Sequence, residues 1–303
     1  MSECSLISVY LKLLFTAFFW GGTFIAGRVV TQYSTPFPAA FLRFAIAAIF
    51  LILLTWKTEG GFPRLQKHQL LPLLLLGMTG VFAYNFFFFK GLQLIEAGRA
   101  SVIVANNPIF IALLSAYFFH EKLTPLKMLG ILLSVTGAVV VITRGHPLEI
   151  FQGGIGTGEF LIFGCVASWV TYSLIGKVVM RDLSPLISVT YSVLVGAALL
   201  FIPAYMQGLM NQISTYPASV WGGLFFLGFF GTVLGFLWFY QGIQHIGPTK
   251  AGLFINFVPI SAIILSFLIL KEPITLSLLV GVVLVSTGVY LTNRKTALER
   301  KTA

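Results

Sequence analysis

Charged side chains are scarce in this chain of 303 residues. Asp, Glu, Lys and Arg together make up 9% of the sequence, whereas 57% of the residues are hydrophobic. A soluble domain carries about 25% charged residues, and a soluble protein as apolar as this one could not cover its surface with polar groups. The composition therefore excludes a soluble protein and predicts an integral membrane protein.

Acidic residues are the scarcest of the charged residues. The chain holds nine of them, and none lies in the interior of an apolar run. Glu159 lies at the edge of one run, and Glu121 and Glu272 lie at junctions between runs. A cation held at membrane depth needs a buried carboxylate as its partner. We therefore expect a site inside the bundle to prefer anions or zwitterions to cations.

Cysteine and histidine are also few, with two and four residues. Cys4 and Cys165 offer neither a disulfide framework nor a metal-binding cluster. The run "HEKLT", which begins at His120, lacks the second histidine that a zinc motif of this kind requires. Because no nucleophile, base or ligand set converges, the sequence predicts no catalytic residue, no metal site and no cofactor, and therefore no enzyme.

Long apolar runs fill most of the chain. A helix that crosses the hydrocarbon core of a bilayer needs roughly 20 mostly apolar residues. Runs of this kind lie near residues 9–30, 36–56, 69–90, 98–119, 124–143, 158–178, 184–206, 218–242, 250–270 and 273–293. The sequence therefore predicts an all-α integral membrane protein with ten transmembrane helices.

The basic residues predict an orientation rather than a nucleic-acid partner. The formal net charge is +10, but the Lys and Arg residues are scattered singly between apolar runs and form no basic patch. With ten crossings both termini lie on one side, and that side collects 13 of the 19 basic residues against 5 on the other. The positive-inside rule then places both termini in the cytoplasm.

The sequence contains an internal repeat. From Gly77 to Asn293 an offset of 151 positions pairs identical residues, and upstream the offset is 149. The pairs include Gly80/Gly231, Gly91/Gly242, Pro108/Pro259, Gly130/Gly281, Gly137/Gly288, Trp20/Trp169 and Gly27/Gly176. We therefore predict two five-helix repeats, 9–143 and 158–293, an extracytoplasmic linker at 144–157 and a cytoplasmic tail at 294–303.

An odd number of crossings in each repeat forces the two halves into opposite orientations. Inverted repeats are typical of transporters, in which a shared site opens to each side of the membrane in turn. The alternative is a duplication that serves folding alone. The recurrence of Gly and Pro at one offset favours the transporter.

Several stretches identify a resemblance. They are "FFWGGTFIAGR" at 18–28, "PFPAAFLRFAIAAIFLI" at 36–52, and the paired segments 97–141 and 247–291. They resemble EamA-type members of the drug/metabolite transporter superfamily over nearly the whole chain. The resemblance implies a multi-pass carrier of the cell inner membrane, with a central cavity and inverted repeats. Such carriers move amino acids, other metabolites, sugars or drugs.

Arg43 is the most informative candidate for a substrate-binding residue. It lies about a third of the way into the second apolar run, where a charge is costly and should face the bundle interior or a watery cavity. The alternative is an Arg that reaches the membrane surface or bonds helix-end carbonyls. The resemblance fits either role, because an Arg is common at this place in the family.

Two proline positions and their neighbours form the second group of candidates. Pro108 and Pro259 should kink the fourth and ninth helices, because proline removes a backbone hydrogen bond. Asn106, Asn107 and Asn256 would then offer amides beside freed carbonyls at membrane depth. The alternative is an ordinary kink whose asparagines bond neighbouring helices.

Aromatic residues complete the predicted site. Trp20, Tyr84 and Trp169 lie deep enough in their runs to line a cavity, although Trp and Tyr near helix ends often anchor a protein at the membrane surface. We expect the substrate-binding residues to meet near the midplane.

The expected function is secondary transport of small polar metabolites, most plausibly export of amino acids or related compounds. No nucleotide-binding loop is present to drive it. Other metabolites, sugars or drugs are the alternative substrates, and a channel or a membrane-embedded enzyme is the alternative activity. The expected partners are a small-molecule substrate and the lipid bilayer, for a monomer or homodimer.

Overall fold

The computed structural model describes residues 6–119, 124–146, 156–180, 182–246, 251 and 254–293. All regular elements in these ranges are helical. The predicted tail at 294–303, most of the predicted linker, and the junction residue Glu121 lie outside the described residues.

The helices follow one another with short connections. They are α1 Leu6–Val30, α2 Pro36–Glu59, α3 Lys67–Leu92, α4 Ala97–Val104, α5 Asn107–Phe119, α6 Pro125–Ile142, α7 Thr157–Val179, α8 Pro185–Met206, α9 Leu209–Ile213, α10 (Ala218–Phe225, Phe226–Leu234 and Gly235–Ile246), α11 Phe257–Leu270 and α12 Leu276–Asn293. The middle of α3, the middle of α10 and the end of α11 are π-helical. Helices therefore lie on all ten predicted apolar runs.

Helix length separates these elements into two groups. In the described part of the chain seven helices are long and apolar enough to cross a membrane: α1, α2, α3, α6, α7, α8 and α10. The helices α11 and α12 are shorter and apolar. The predicted fourth span is divided into α4 and α5, of 8 and 13 residues. An all-helical membrane protein is confirmed, and the count of ten crossings stays a prediction.

Proline explains the division of the fourth span. Helix α4 ends at Val104 and α5 begins at Asn107, so that Pro108 is the second residue of the new helix. Proline has no N–H with which to bond the carbonyl four residues earlier, and it is tolerated in the first turn of a helix. In the second half Pro259 likewise lies in the first turn of α11, directly after the 3-10 turn Phe254–Asn256.

One set of helix ends meets at what we call the proximal face, defined by Lys12, Glu59, Ser184 and Gln241. Lys12 Nζ donates a hydrogen bond to Gln241 Oε1 at 3.1 Å, which joins the first turns of α1 to the end of α10. Ser184 Oγ donates to Glu59 Oε1 at 2.7 Å, which joins the start of α8 to the end of α2. The helix starts and ends alternate here as the predicted topology requires.

The other helix ends meet at the distal face, defined by Ser34, Arg99, Glu159, Tyr216 and Glu272. An ion pair joins Arg99 Nη2 to Glu159 Oε1 at 2.9 Å, with both side chains buried. The Ser34 and Tyr216 hydroxyls lie 2.6 Å apart, and Glu272 Oε1 accepts from the backbone N–H that begins α4 at 2.9 Å. Polar contacts therefore hold this face together.

Close glycine contacts recur between the two halves. A Cβ on Gly80 would lie 2.2 Å from the Tyr172 ring, and a Cβ on Gly231 would lie 2.6 Å from Thr23. The offset of 151 converts Gly80 into Gly231, and the offset of 149 converts Thr23 into Tyr172. The same exchange relates Gly77–Val195 to Gly228–Ile46, Gly91–Ile162 to Gly242–Leu13, and Gly130–Gly288 to Gly281–Gly137. Each of these four contacts therefore has an equivalent at the repeat offsets.

Candidate functional site

Arg43 is held by neutral partners in the middle of the bundle. Its side chain lies on α2 and is 7% exposed. Nη1 donates to Asn85 Oδ1 at 2.9 Å, whereas Nε and Nη2 donate to Thr232 Oγ1 at 3.4 and 3.3 Å. The two partners come from α3 and α10, one in each half of the chain. The guanidinium therefore joins the two predicted repeats.

Both partners are themselves fixed by backbone groups. Asn85 Nδ2 donates to the carbonyl of Val81 at 2.8 Å, which fixes the amide with its oxygen towards Arg43. Thr232 Oγ1 donates to the carbonyl of Leu227 at 3.0 Å, within the π-helical part of α10. A π-helical segment often occurs at functional sites, because it changes the direction of nearby side chains.

The charge of Arg43 has no carboxylate partner in the described part of the chain. The ion pairs there are Arg99 with Glu159 and His68 with Asp182, both at helix ends. The other neighbours of the guanidinium are aromatic rings, Phe44 at 5.2 Å and Phe88 at 6.0 Å. A buried charge without an opposite charge is expensive. An anion beside Arg43 would remove part of that cost.

Four aromatic side chains form what we call the aromatic cluster: Trp20, Tyr84, Trp169 and Phe236. The Phe236 ring lies 5.8 Å from both Trp20 and Trp169, and Trp169 lies 5.5 Å from Tyr84. Trp20 Nε1 donates to the carbonyl of Gly231 at 3.0 Å, which fixes the indole plane. All four residues are half-buried.

The cluster and Arg43 are adjacent. Tyr84 stacks on Phe88 at 5.9 Å, and Phe88 is one of the two rings beside the Arg43 guanidinium. Tyr84 also directly precedes Asn85, the partner of Nη1. The structure thus brings four of the predicted site residues together: Trp20, Arg43, Tyr84 and Trp169.

The predicted asparagines lie in different surroundings. Asn106 is 2% exposed, and its Oδ1 accepts from Ser134 Oγ on α6 at 2.9 Å while Nδ2 donates to the carbonyl of Val102 at 2.9 Å. These bonds join two helices. Asn107 is buried, and its Oδ1 has no hydrogen-bond partner among the described residues. Asn256 ends the 3-10 turn, and its side chain lies outside the described part of the chain.

Three residues of this site were not in the predicted set. Asn85 and Thr232 hold Arg43, and Phe236 connects the two tryptophans. The sequence contains one signal for them, because Phe236 stands 151 positions after Asn85. A difference between equivalent positions of two repeats, aligned beside a buried charge, would have pointed to both residues. Thr232 stands 151 positions after Val81, which is a smaller difference of the same kind.

Metal ligands do not cluster beside this arrangement within the part of the chain that the structure describes. Among the described residues no group of three or more His, Cys, Asp or Glu side chains could hold a metal ion. Cys165 is a buried free thiol whose Sγ lies 3.5 Å from the carbonyl of Tyr84. The arrangement can bind a solute with a negative group and an apolar part, and offers that solute no reactive side chain.

Comparison with known proteins gives consistent results. The model of the EamA-like transporter family matches residues 7–143 and 156–294, one match in each half. The chain is 32% identical to the Bacillus subtilis protein named uncharacterized transporter YyaM, over 93% of this chain and 92% of that one. It is 29% identical to an uncharacterized transporter of Archaeoglobus fulgidus, over 94% and 99% of the two chains.

A solved structure shares the fold. A crystal structure with 21% sequence identity superposes with a TM-score of 0.64 and covers 98% of this chain and 99% of its own.

Proposed function

Because the chain belongs to the EamA-like transporter family, we propose that it is a secondary transporter that moves a small metabolite across the membrane by alternating access. The observation that carries the proposal is the meeting of Arg43, Asn85 and Thr232 beside the aromatic cluster. This site draws on both halves of the chain. Relative movement of the halves would therefore change access to the site.

The proposed architecture is ten membrane crossings in two inverted five-helix repeats, 9–143 and 158–293. The equivalent glycine contacts support it, because each contact of α3 with α7 or α8 has a counterpart between α10 and α1 or α2. A two-fold relation between halves produces such exchanged pairs. With five crossings each, the halves have opposite orientations in the membrane.

The proposed substrate is a small metabolite with an anionic group, and amino acids with related compounds are the first class to test. Arg43 would hold the anionic group through its planar guanidinium. The rings of Trp20, Tyr84 and Trp169 would contact the apolar part. Export from the cytoplasm is the proposed direction, by analogy with the family, for a protein whose two termini lie in the cytoplasm.

Transport should not depend on a titrating carboxylate at the centre of the site. The sequence has no Asp or Glu in the interior of a predicted span, and Glu159 at the edge of α7 is paired with Arg99. Facilitated diffusion or exchange is therefore the proposed mode.

Counterflow in proteoliposomes tests the proposed function. Purified protein is reconstituted, the vesicles are loaded with one unlabelled compound from a panel of amino acids and other metabolites, and uptake of the same labelled compound is followed. A carrier gives saturable uptake that internal substrate accelerates. Flux that neither saturates nor shows counterflow would indicate a channel, and no flux for the whole panel would contradict the proposed substrate class.

A further inference from the structure

A cleft opens at the proximal face between α2, α8 and α10. Its volume is about 120 Å³, and its lining includes Glu59, Leu186, Val233, Leu237 and Gln241. The outer part is marked by the exposed Glu59, whereas Val233 at the inner part is 4% exposed. The walls between these ends are apolar.

The cleft reaches well into the bundle. Its lining includes Leu51, a buried residue that precedes Glu59 by eight positions on α2. At 1.5 Å per residue this separation corresponds to about 12 Å along the helix. A solute that enters at Glu59 would therefore pass more than a third of the way through the hydrocarbon thickness of about 30 Å.

Phe236 connects the cleft to the candidate site. Its ring lines the cleft, and the same ring lies 5.8 Å from both Trp20 and Trp169. Phe236 therefore belongs both to the lining of the cleft and to the aromatic cluster.

The equivalent place at the distal face is filled by phenylalanine rings. The repeat offsets convert Leu186, Val233 and Leu237 of the cleft into Phe37, Phe82 and Phe86. Phe37 stacks on Phe86 at 5.1 Å and lies 5.6 Å from Phe82. We call these three rings the distal plug. The two halves therefore have the same backbone frame, with large rings on one face and smaller side chains on the other.

We infer that the proximal cleft is the entrance through which the solute reaches the candidate site, and that the distal plug closes the opposite exit in this conformation. The inference rests on the proposed function. The apolar walls of the cleft favour an amphipathic solute, with a substantial apolar part besides its anionic group. Glu59 and the Lys12–Gln241 pair at the mouth balance each other in charge, which admits zwitterions as well as monoanions.

Thiol labelling tests the entrance without knowledge of the substrate. Leu237→Cys and, as its distal equivalent, Phe86→Cys are placed in a chain in which Cys4 and Cys165 are replaced by Ala. A membrane-impermeant trimethylammonium methanethiosulfonate is applied to vesicles of either orientation. Digestion of an N-terminal tag identifies the proximal side. We expect Leu237→Cys to react roughly tenfold faster from the proximal than from the distal side, because a thiol reacts only where the reagent reaches it.

The labelling result decides the inference in either direction. Phe86→Cys, packed in the distal plug, should react roughly tenfold more slowly than Leu237→Cys with reagent on the proximal side. A Leu237→Cys thiol that does not react from the proximal side, or reacts equally from both sides, would overturn the entrance. This outcome does not depend on whether a substrate is transported.

Transfer of the distal plug to the cleft tests the path during transport. The plug variant carries Leu186→Phe, Val233→Phe and Leu237→Phe. Because the equivalent positions at the distal face hold the same three rings, the variant should fold. We expect counterflow to fall roughly tenfold or more, a barrier increase of about 1.4 kcal/mol. Leu237→Phe alone serves if the triple variant does not fold, and the exposed Leu279→Phe is the control. Unchanged counterflow in a folded plug variant would contradict the inference, whereas absence of transport by the parent protein would contradict the proposed function instead.

Discussion

Two sets of residues at the centre of the molecule are related by the repeat offsets and differ in their chemistry. Arg43, Asn85 and Thr232 form one side, and the repeat offsets convert them into Ser192, Phe236 and Val81. The first set is charged and hydrogen-bonded across helices, whereas Ser192 Oγ donates to the nearby carbonyl of Val189, at 2.9 Å. The predicted repeat therefore pairs a charged and polar set with a set that consists of a serine, a phenylalanine and a valine.

This difference teaches how a symmetric frame can orient a solute. A perfectly symmetric site would bind an amphipathic molecule equally well in two directions. In the proposed site the anionic group would have its partner in Arg43, and the apolar part would have its partners among Trp20, Trp169 and Phe236. The solute is expected to keep one orientation while the two faces open in turn.

Loss of the planar guanidinium of Arg43 should have the largest effect on substrate binding. In Arg43→Lys the charge is kept. The lysine ammonium, however, lacks the planar fork of donors with which a guanidinium bonds an anionic group while it also bonds Asn85 and Thr232. Hydrogen bonds to charged groups contribute about 1.5–3 kcal/mol, so apparent affinity should fall roughly 10- to 100-fold. Counterflow measures it, and Arg64→Lys, at an exposed site, is the matched control. Equal affinities in the two variants would exclude Arg43 from the site.

The aromatic side should respond to the size of the solute. Trp169→Ala removes the ring that contacts Tyr84, Tyr172 and Phe236. Burial of one large apolar group contributes about 1.5–3 kcal/mol, so affinity for solutes with a larger apolar part should fall about tenfold or more. Solutes with a small apolar part should change less. Trp56→Ala, at a residue 66% exposed, is the control, and a uniform effect across solute sizes would argue against this contact.

The shared frame itself can be tested through stability. In Gly130→Ala the new methyl would lie 2.5 Å from the carbonyl oxygen of Gly288, between α6 and α12. Such overpacking costs about 1–3 kcal/mol, which should lower the thermal unfolding midpoint in detergent. Gly281→Ala, the equivalent change, should behave in the same way.

Gly222 provides the control for this change. It is also a helical glycine, but a Cβ there meets no atom within 4 Å. Gly222→Ala should be neutral or slightly stabilising because alanine favours the helix by about 1 kcal/mol. The same midpoint for Gly130→Ala and Gly222→Ala would show that the helices are not in close contact.

Asn106 should show the smallest effect on transport. Asn106→Ala removes the bond between the α4–α5 turn and Ser134 on α6 and should cost about 1–3 kcal/mol of unfolding free energy. We expect the rate and the apparent affinity of transport to stay within about twofold of the parent values, a difference below about 0.5 kcal/mol. A large fall in affinity with normal stability would assign Asn106 to the site.

The sequence predicted the positions of the helices better than the contacts between side chains. Apolar runs and prolines mark helices and their interruptions, so the helices on the ten runs and an irregularity at Pro108 followed from local pattern, although the sequence predicted a kink there and the structure has two helices. The partners of Arg43 did not, because α2, α3 and α10 are apolar on most of their surface and show no polar stripe that would mark the inner side. Thr232 meets Arg43 only through the packing of helices that lie far apart in the chain.

Asparagine positions illustrate the same limit. The sequence placed Asn106 and Asn107 together at a kink, but their side chains have different surroundings: Asn106 lies in the turn after α4, and Asn107 begins α5. Asn106 bonds Ser134, whereas Asn107 Oδ1 is buried without a hydrogen-bond partner among the described residues. Neighbouring residues on a helix point in directions about 100° apart, so a shared position in the sequence does not imply a shared site.

The central claim is that Arg43 uses its uncompensated charge to hold the anionic group of a solute. Asn85→Asp tests it most directly, because the acid has nearly the shape of the amide and its carboxylate would lie at the 2.9 Å contact with Nη1. Asn211→Asp, at an exposed residue, is the matched control. Binding by the purified variants is measured with a compound that the parent protein transports.

If the claim is right, the new carboxylate takes the place of the solute's anionic group, and Asn85→Asp loses binding while its unfolding midpoint stays the same or rises. If Arg43 serves packing alone, the added ion pair leaves binding intact. Unchanged binding by a folded Asn85→Asp protein would contradict the account.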